Sequence, residues 1–159
     1  MRKHAAVGCG ACKGRKSRII GLNRVKKRNF ARIFLFKALM NKKTVVLGAT
    51  PNPSRFAYMA VKSLSLKGHE VAPVGVREGA IEGYAILQGE PDIKDVDTVT
   101  LYLNAERQRP YYDYIFSLNP KRIIFNPGAE NDELYDLARE KGVEPVEACT
   151  LVMLSIGNY

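Results

Sequence analysis

The chain has 159 residues, 46% of them hydrophobic and 26% charged, enough for one domain with a sizeable core. No apolar run approaches the roughly 18–20 residues that span a membrane. The net charge of +9 is unevenly placed: residues 1–39 hold twelve Lys/Arg and no acid, whereas residues 40–159 hold thirteen Lys/Arg against sixteen Asp/Glu, so the basicity argues for no specific nucleic-acid-binding domain.

Residues 1–39 read as a basic leader foreign to the rest, disordered or not native. Met40 stands immediately before the first strand, and the expectation is that the natural chain starts there. Three other readings compete. An Arg-rich, acid-free leader suits an organelle transit peptide, although Ser17 is its only serine. A basic arm could touch phosphates non-specifically. Cys9, Cys12 and His4 suggest zinc, but a structural zinc site usually takes four ligands and the leader offers three. Phe30, Ile33, Phe34 and Lys37 suit a short amphipathic helix. With Cys149 the chain has three cysteines, too few for a disulfide framework, so a cytoplasmic setting is expected.

From Met40 onward, short apolar runs alternate with helical patterns. Thr44–Leu47 is a first strand ending in Gly48. A turn-rich loop with Pro51, Asn52, Pro53 and Ser54 follows. Phe56, Met59, Ala60, Ser63 and Leu64 then recur at helical spacing, predicting a helix near Ser54–Leu66; the plain alternative to a binding site at this junction is a strand-to-helix turn capped by Ser54. Lys67-Gly68 signals the helix end, and Glu70–Val76 is a second strand. Glu78–Asp95, with Gly79, Gly83, Gly89 and Pro91, reads as loop with a small strand pair. Asp92–Asp95 is expected to open a short helix. Thr98–Leu103 is a third strand and Glu106–Leu118 a helix. Arg122–Phe125 is a fourth strand entering Asn126-Pro127-Gly128, Asn131–Lys141 a helix, Val143–Val146 a fifth strand and Leu151–Ile156 a last helix.

Strands alternating with helices predict an α/β fold: a doubly wound parallel sheet of five strands in a three-layer α/β/α sandwich, order 3-2-1-4-5. Ligands in such sheets bind outside the carboxyl ends of the strands, beside strand one. Four loops should converge there: Gly48–Arg55, Val74–Glu78, Asn104–Arg107 and Asn126–Asn131. Gly48 would let the backbone approach a phosphate. The first N–H groups of the helix would point at it, and Arg55 would add a fixed charge. The stretch is neither G-x-G-x-x-G nor a Walker loop.

The ordered segments VVLGATPNPSRFAYMAV, GHEVAPVG, IEG, DTVTLYLN and IIFNPGAEN resemble the small stand-alone CoA-binding proteins. Those are Rossmann-like domains related to the N-terminal domain of the succinyl-CoA synthetase α subunit. The resemblance spans about residues 42–157 and leaves the leader without a counterpart. It implies that Gly48, Ala49 and Thr50 cradle the CoA pyrophosphate. Asn52, Pro53 and Ser54 match the following loop, and Arg55 a phosphate-pairing position. Tyr58 matches a recurrent aromatic, while Pro73, Val74 and Gly75 would flank the adenine. Leu103 and Asn104 match the third-strand end, and Pro127, Gly128 and Ala129 would approach the pantetheine arm. Charge-assisted bidentate contacts to phosphate suit Arg55 or Arg77, with Arg77 read in preference as a solvated loop charge.

The same resemblance implies no catalysis by this chain alone. Related synthetases use a histidine outside the CoA-binding domain. Here His4 lies in the leader, and His69 is expected at the sheet end opposite the site. Glu130, Asp132 and Glu133 crowd a helix start, where acids are stabilising in any case. Cys149 reads as a small buried hydrophobe, with a mixed disulfide to the CoA thiol as the alternative. Of Tyr111, Tyr112 and Tyr114, some are expected in the core. The expected function is noncovalent binding of CoA or acyl-CoA, with no metal. The alternatives are NAD(P) binding, kept open by Glu78 after the second strand, or an accessory CoA-site subunit with an acyl-CoA ligase partner.

Overall fold

A computed structural model describes residues 41–159. The readings of the leader, of Met40, of the Cys9/Cys12/His4 set and of the Phe30–Lys37 helix lie outside the described residues. Five strands form one parallel sheet: β1 Thr44–Leu47, β2 Val71–Val74, β5 Thr98–Leu101, β6 Arg122–Phe125 and β7 Glu144–Glu147. β3 Ala80–Ile81 and β4 Tyr84–Ala85 form a small antiparallel hairpin, the strand pair expected in that loop. The helices are α1 Phe56–Leu66, α2 Ala105–Gln108, α3 Tyr112–Ser117, α4 Asp132–Glu140 and α5 Thr150–Ile156.

The strand period of two divides the core between the faces of the sheet. On one face Val45, Leu47, Val99, Leu101, Ile123 and Phe125 meet Tyr114 and Ile115 of α3, Leu118 just after it, and Leu134 and Ala138 of α4. On the other, Val46 and Val71 meet Ala57, Val61 and Leu64 of α1 and Leu154 of α5. This is the α/β, Rossmann-like, doubly wound architecture expected.

The strand order corrects the expectation. Sequentially the five sheet strands run 2-1-3-4-5 (β2-β1-β5-β6-β7), not 3-2-1-4-5. The connection from Gly75 to Asp97 contains no helix that could carry a full strand onto the outer edge of β2. Instead Leu87 makes a single parallel bridge to Val74, with Gly75 N–H donating to Leu87 O and Leu87 N–H to Pro73 O, both at 2.9 Å. That bridge occupies the edge, and the third long strand pairs with the other side of β1.

Three local expectations are also corrected. Asp92–Asp95 forms no helix. Glu106–Leu118 is not one helix: α2 passes through a tight 3₁₀ turn at Arg109–Tyr111 before α3, with Pro110 supplying no N–H at the junction. Ser54 does not cap α1, because the residue in the cap position is Arg55; the Ser54 N–H bonds Asn52 Oδ1 at 3.0 Å. Of the three tyrosines, Tyr114 is buried and donates to Pro91 O at 3.0 Å. Burial, then the nearby Glu90 and Asp92, push its phenol up to about 12.

Candidate functional site

β1, β2, β5 and β6 end at a common edge, and their loops enclose a cleft of about 390 Å³. The chain leaves β1 toward β2 on one side and reaches β5 on the other, so the cleft lies beside strand one. Its centre is the turn after β1. Gly48 has φ +97°, and a Cβ there would lie 3.0 Å from the Tyr102 backbone and from Leu103 Cδ2. Gly48 and Ala49 both donate N–H to Val74 O at 2.9 Å, fixing this turn to the end of β2. Gly75 completes the contact, since a Cβ on it would lie 2.1 Å from Ala49 O. Two backbones are thus packed against each other where a side chain would separate them.

The loop then builds itself around Asn52. Its Oδ1 accepts Ser54 N–H and its carbonyl accepts Arg55 N–H at 3.1 Å. Arg55 becomes the residue preceding α1, extended at φ −97°, ψ 142°. Among the described residues no side chain caps this helix start, and no acid stands in its first turn. The first N–H groups of α1 and the positive end of its dipole are therefore left unmatched beside the cleft. Leu47, Gly48, Ala49, Thr50, Asn52 and Arg55 line this part.

The opposite wall comes from the loops after β5 and β6. Leu103, Arg107 and Tyr111 line one side; Pro127, Gly128 and Ala129 line the other. Gln108, fully buried, joins them. Its Nε2 donates to Leu103 O at 2.7 Å and to Ala129 O at 2.8 Å, while its Oε1 accepts from Asn131 Nδ2 at 2.8 Å. Asn131 in turn caps α4 by accepting Leu134 N–H at 3.2 Å and donates to Tyr112 Oη at 2.8 Å. Beneath the wall, Asn126 donates to Thr100 Oγ1 and to Leu101 O and accepts Thr150 N–H. Tyr102 also lines the cleft. Its hydroxyl is enclosed without a partner in hydrogen-bond geometry among the described residues, and burial raises its pKa, against the pull of the neighbouring Thr150 and Thr100 hydroxyls.

Of the residues singled out from the sequence, Gly48, Ala49, Thr50, Asn52, Arg55, Val74, Gly75, Leu103, Pro127, Gly128 and Ala129 are brought together here. Five are not among the lining residues. Pro53 and Ser54 sit on the outer side of the Asn52 turn, exposed. Tyr58 packs on the α1 core cluster. Pro73 is buried within β2. The Asn104 carboxamide caps α2 by accepting Arg107 N–H at 3.2 Å. Arg77, read as a solvated loop charge, lines the cleft; Glu78 does not. His69 lies at the other end of the sheet, its Nδ1 accepting Lys42 N–H at 3.2 Å just before β1. Cys149 is half-buried ahead of α5 and is not among the lining residues.

Among the described residues every charged side chain lining the cleft is an arginine: Arg55 and Arg77 from the loops after β1 and β2, and Arg107 from α2. A cleft with an open helix start and three arginines in its lining suits a phosphorylated nucleotide. The family model for a CoA binding domain matches residues 42–155, a span holding the whole cleft. The chain belongs to the CoA-binding domain family.

Solved structures are similar to this chain. One, an uncharacterized protein, is 53% identical, with a TM-score of 0.73, over 75% of this chain and 98% of that one. A conserved hypothetical protein from Pyrococcus furiosus is 27% identical, TM-score 0.62, over 70% of this chain and 97% of that one. A hypothetical protein from Pyrococcus horikoshii, 23% identical, TM-score 0.67, over 91% and 98% of the two chains, shares the fold. No curated protein matches this chain. Among the described residues no helix is long and apolar enough to cross a membrane.

Proposed function

We propose that this CoA-binding domain holds CoA or an acyl-CoA noncovalently in the cleft, and that its own residues bind rather than transform the ligand. The observation that carries the reading is the uncapped, acid-free start of α1, opening behind Gly48 onto a cleft whose lining charges are all arginines. The diphosphate would take the Gly48–Arg55 turn, where backbone N–H groups, the helix dipole and the Arg55 guanidinium all favour an anion. The adenosine end would lie along Val74–Arg77, with Arg77 available to a ribose phosphate. The pantetheine arm would run between Leu103 and Pro127–Ala129.

The lining offers Arg, Tyr, Thr and Asn, and no His, Cys or carboxylate among the described residues. Acyl chemistry would therefore be supplied by a partner such as an acyl-CoA ligase, with this chain as the holding subunit. The NAD reading is weaker, because an NAD ribose is ordinarily held by an acid at the end of the second strand. Here Arg77 lines the cleft and Glu78 does not.

Thermal denaturation of the full chain with CoA tests the proposal, since a ligand that binds only the folded state raises the Tm with its concentration. The Tm is expected to climb with CoA, and to climb less for Arg55→Ala, whose exposed side chain contributes little to folding. A Tm insensitive to CoA overturns the proposal; an undiminished rise in Arg55→Ala removes Arg55 from the site.

A further inference from the structure

The two helical layers finish their outer surfaces differently. On α3 and α4 Asp113, Asp136, Arg139 and Glu140 are exposed, and among the described residues no large hydrophobic side chain is exposed there. α1 and α5 lie side by side on the opposite face of the sheet and show the reverse. Phe56, Met59 and Leu66 of α1 are 69%, 41% and 78% exposed, and Val152 and Ile156 of α5 are 54% and 69% exposed. Their spacing is regular. Positions 56, 59 and 66 fall on one stripe of α1, and 152 and 156 are one turn apart on α5. Neither stripe is the buried one: α1 turns Ala57, Ala60, Val61 and Leu64 to the core, and α5 turns Thr150 and Leu154.

Charge is almost absent from this layer. α5 has no charged residue, and the only one within α1, Lys62, is paired with Glu82 of the β3–β4 turn at 3.0 Å. Two such faces can meet without burying an unpaired charge, which would otherwise be costly. At these exposures the five residues present roughly 500 Å² on one copy and about 1,000 Å² on two, the lower limit for a specific interface. A face with so little charge offers a different partner no pattern to match, whereas a two-fold contact needs only that the face fit itself.

We propose that the outer face of α1 and α5 is the contact between two copies of this chain, related by a two-fold axis. The small area makes the dimer a reversible one, with a dissociation constant on the order of micromolar.

Analytical ultracentrifugation of the full chain, diluted from well above that range to well below it, tests the proposal. The sedimentation coefficient is expected to fall from that of a dimer to that of a monomer. Raising the salt should leave the association intact, because buried apolar surface is not screened, whereas association through the twelve basic residues among the first 39 would weaken. Met59→Glu on α1 and Val152→Glu on α5 each put an unpaired carboxylate into the contact and should weaken dimerisation at least tenfold. Both positions are exposed in a single copy, so the circular dichroism of each variant should match the parent. Hydroxyl-radical footprinting of the parent chain needs no variant: oxidation of Met59 should fall as concentration rises, while that of Tyr135 on α4 stays constant. A chain that is monomeric throughout overturns the proposal, whether or not it then binds anionic lipid vesicles or another protein. So does a dimer that survives both substitutions, one that dissolves as salt is raised, or Met59 oxidation that ignores concentration. None of these readouts depends on CoA, and Phe56, which also lines the cleft, is left unchanged.

Discussion

The starts of α1 and α4 lie along the same edge of the sheet, each reached from a strand through a glycine-containing loop, and they are finished in opposite ways. At α4, Asn131 caps the helix, Asp132 and Glu133 stand in its first turn, and the Glu130 carboxylate takes the Gly128 N–H. At α1 there is no side-chain cap and no acid, and the residue in the cap position is Arg55. A good cap is worth about 1 kcal/mol and first-turn acids several tenths each. α4 has these stabilising features and α1 lacks them. The difference shows where an anion can be accepted. Carboxylates already present at α4 would repel a phosphate, whereas the end of α1 is electropositive and opens onto the cleft.

The comparison can be broken or sharpened by mutation. The largest effect is expected for Gly75→Ala, which places a Cβ 2.1 Å from the Ala49 carbonyl and forces the β1 and β2 turns apart. Overpacking against backbone costs about 3 kcal/mol or more, so the denaturation midpoint should fall steeply and CoA binding should go with it. Asn131→Ala comes next, removing the α4 cap and leaving Gln108 Oε1 without its donor. A lost cap plus an unsatisfied buried amide predicts a loss of about 2–3 kcal/mol in urea unfolding.

Arg55→Asp makes α1 resemble α4. Stability and binding should then move in opposite directions: unfolding free energy up by about 1 kcal/mol, CoA affinity down at least tenfold. A variant that gains stability and keeps its CoA affinity would show that the open helix start has no part in binding.

The smallest effect belongs to the far end of the sheet. Burial first, then Lys42 and Arg122, hold the His69 pKa below its ordinary 6.5. Its Nδ1 accepts Lys42 N–H, which only an unprotonated nitrogen can do. The unfolded chain therefore takes up the His69 proton at a higher pH than the folded chain. This contribution to stability is complete above about pH 6.5 and falls as the pH drops below it. Because His69 is remote from the cleft, His69→Gln should flatten that part of the stability profile without changing CoA affinity.

Much of this was legible in the sequence, for local reasons. Val45–Leu47, Thr98–Leu101 and Ile123–Phe125 are apolar or β-branched runs bounded by turns, so the strands and their carboxyl-end loops could be read off. Strand order was not legible. It depends on where Leu87 docks, one bridge within a helix-free connection that leaves almost no periodic signal. Arg77 was assigned to solvent because a charge in a loop looks the same whether or not the loop folds over a cleft. Gln108 was missed altogether. A polar residue in a helical stretch carries no mark of burial, and its role appears only when Leu103 O and Ala129 O arrive from two separate loops. Ser54 does not cap the helix because the turn closed on Asn52, which accepts the Ser54 and Arg55 N–H groups, puts Arg55 in the cap position.

The most direct test of the central claim is calorimetric titration of the full chain with CoA, with NAD and NADP as comparators. The account predicts saturable one-to-one binding of CoA, with NAD and NADP at least tenfold weaker. Absence of CoA binding, or NAD binding as tight as CoA, would contradict it.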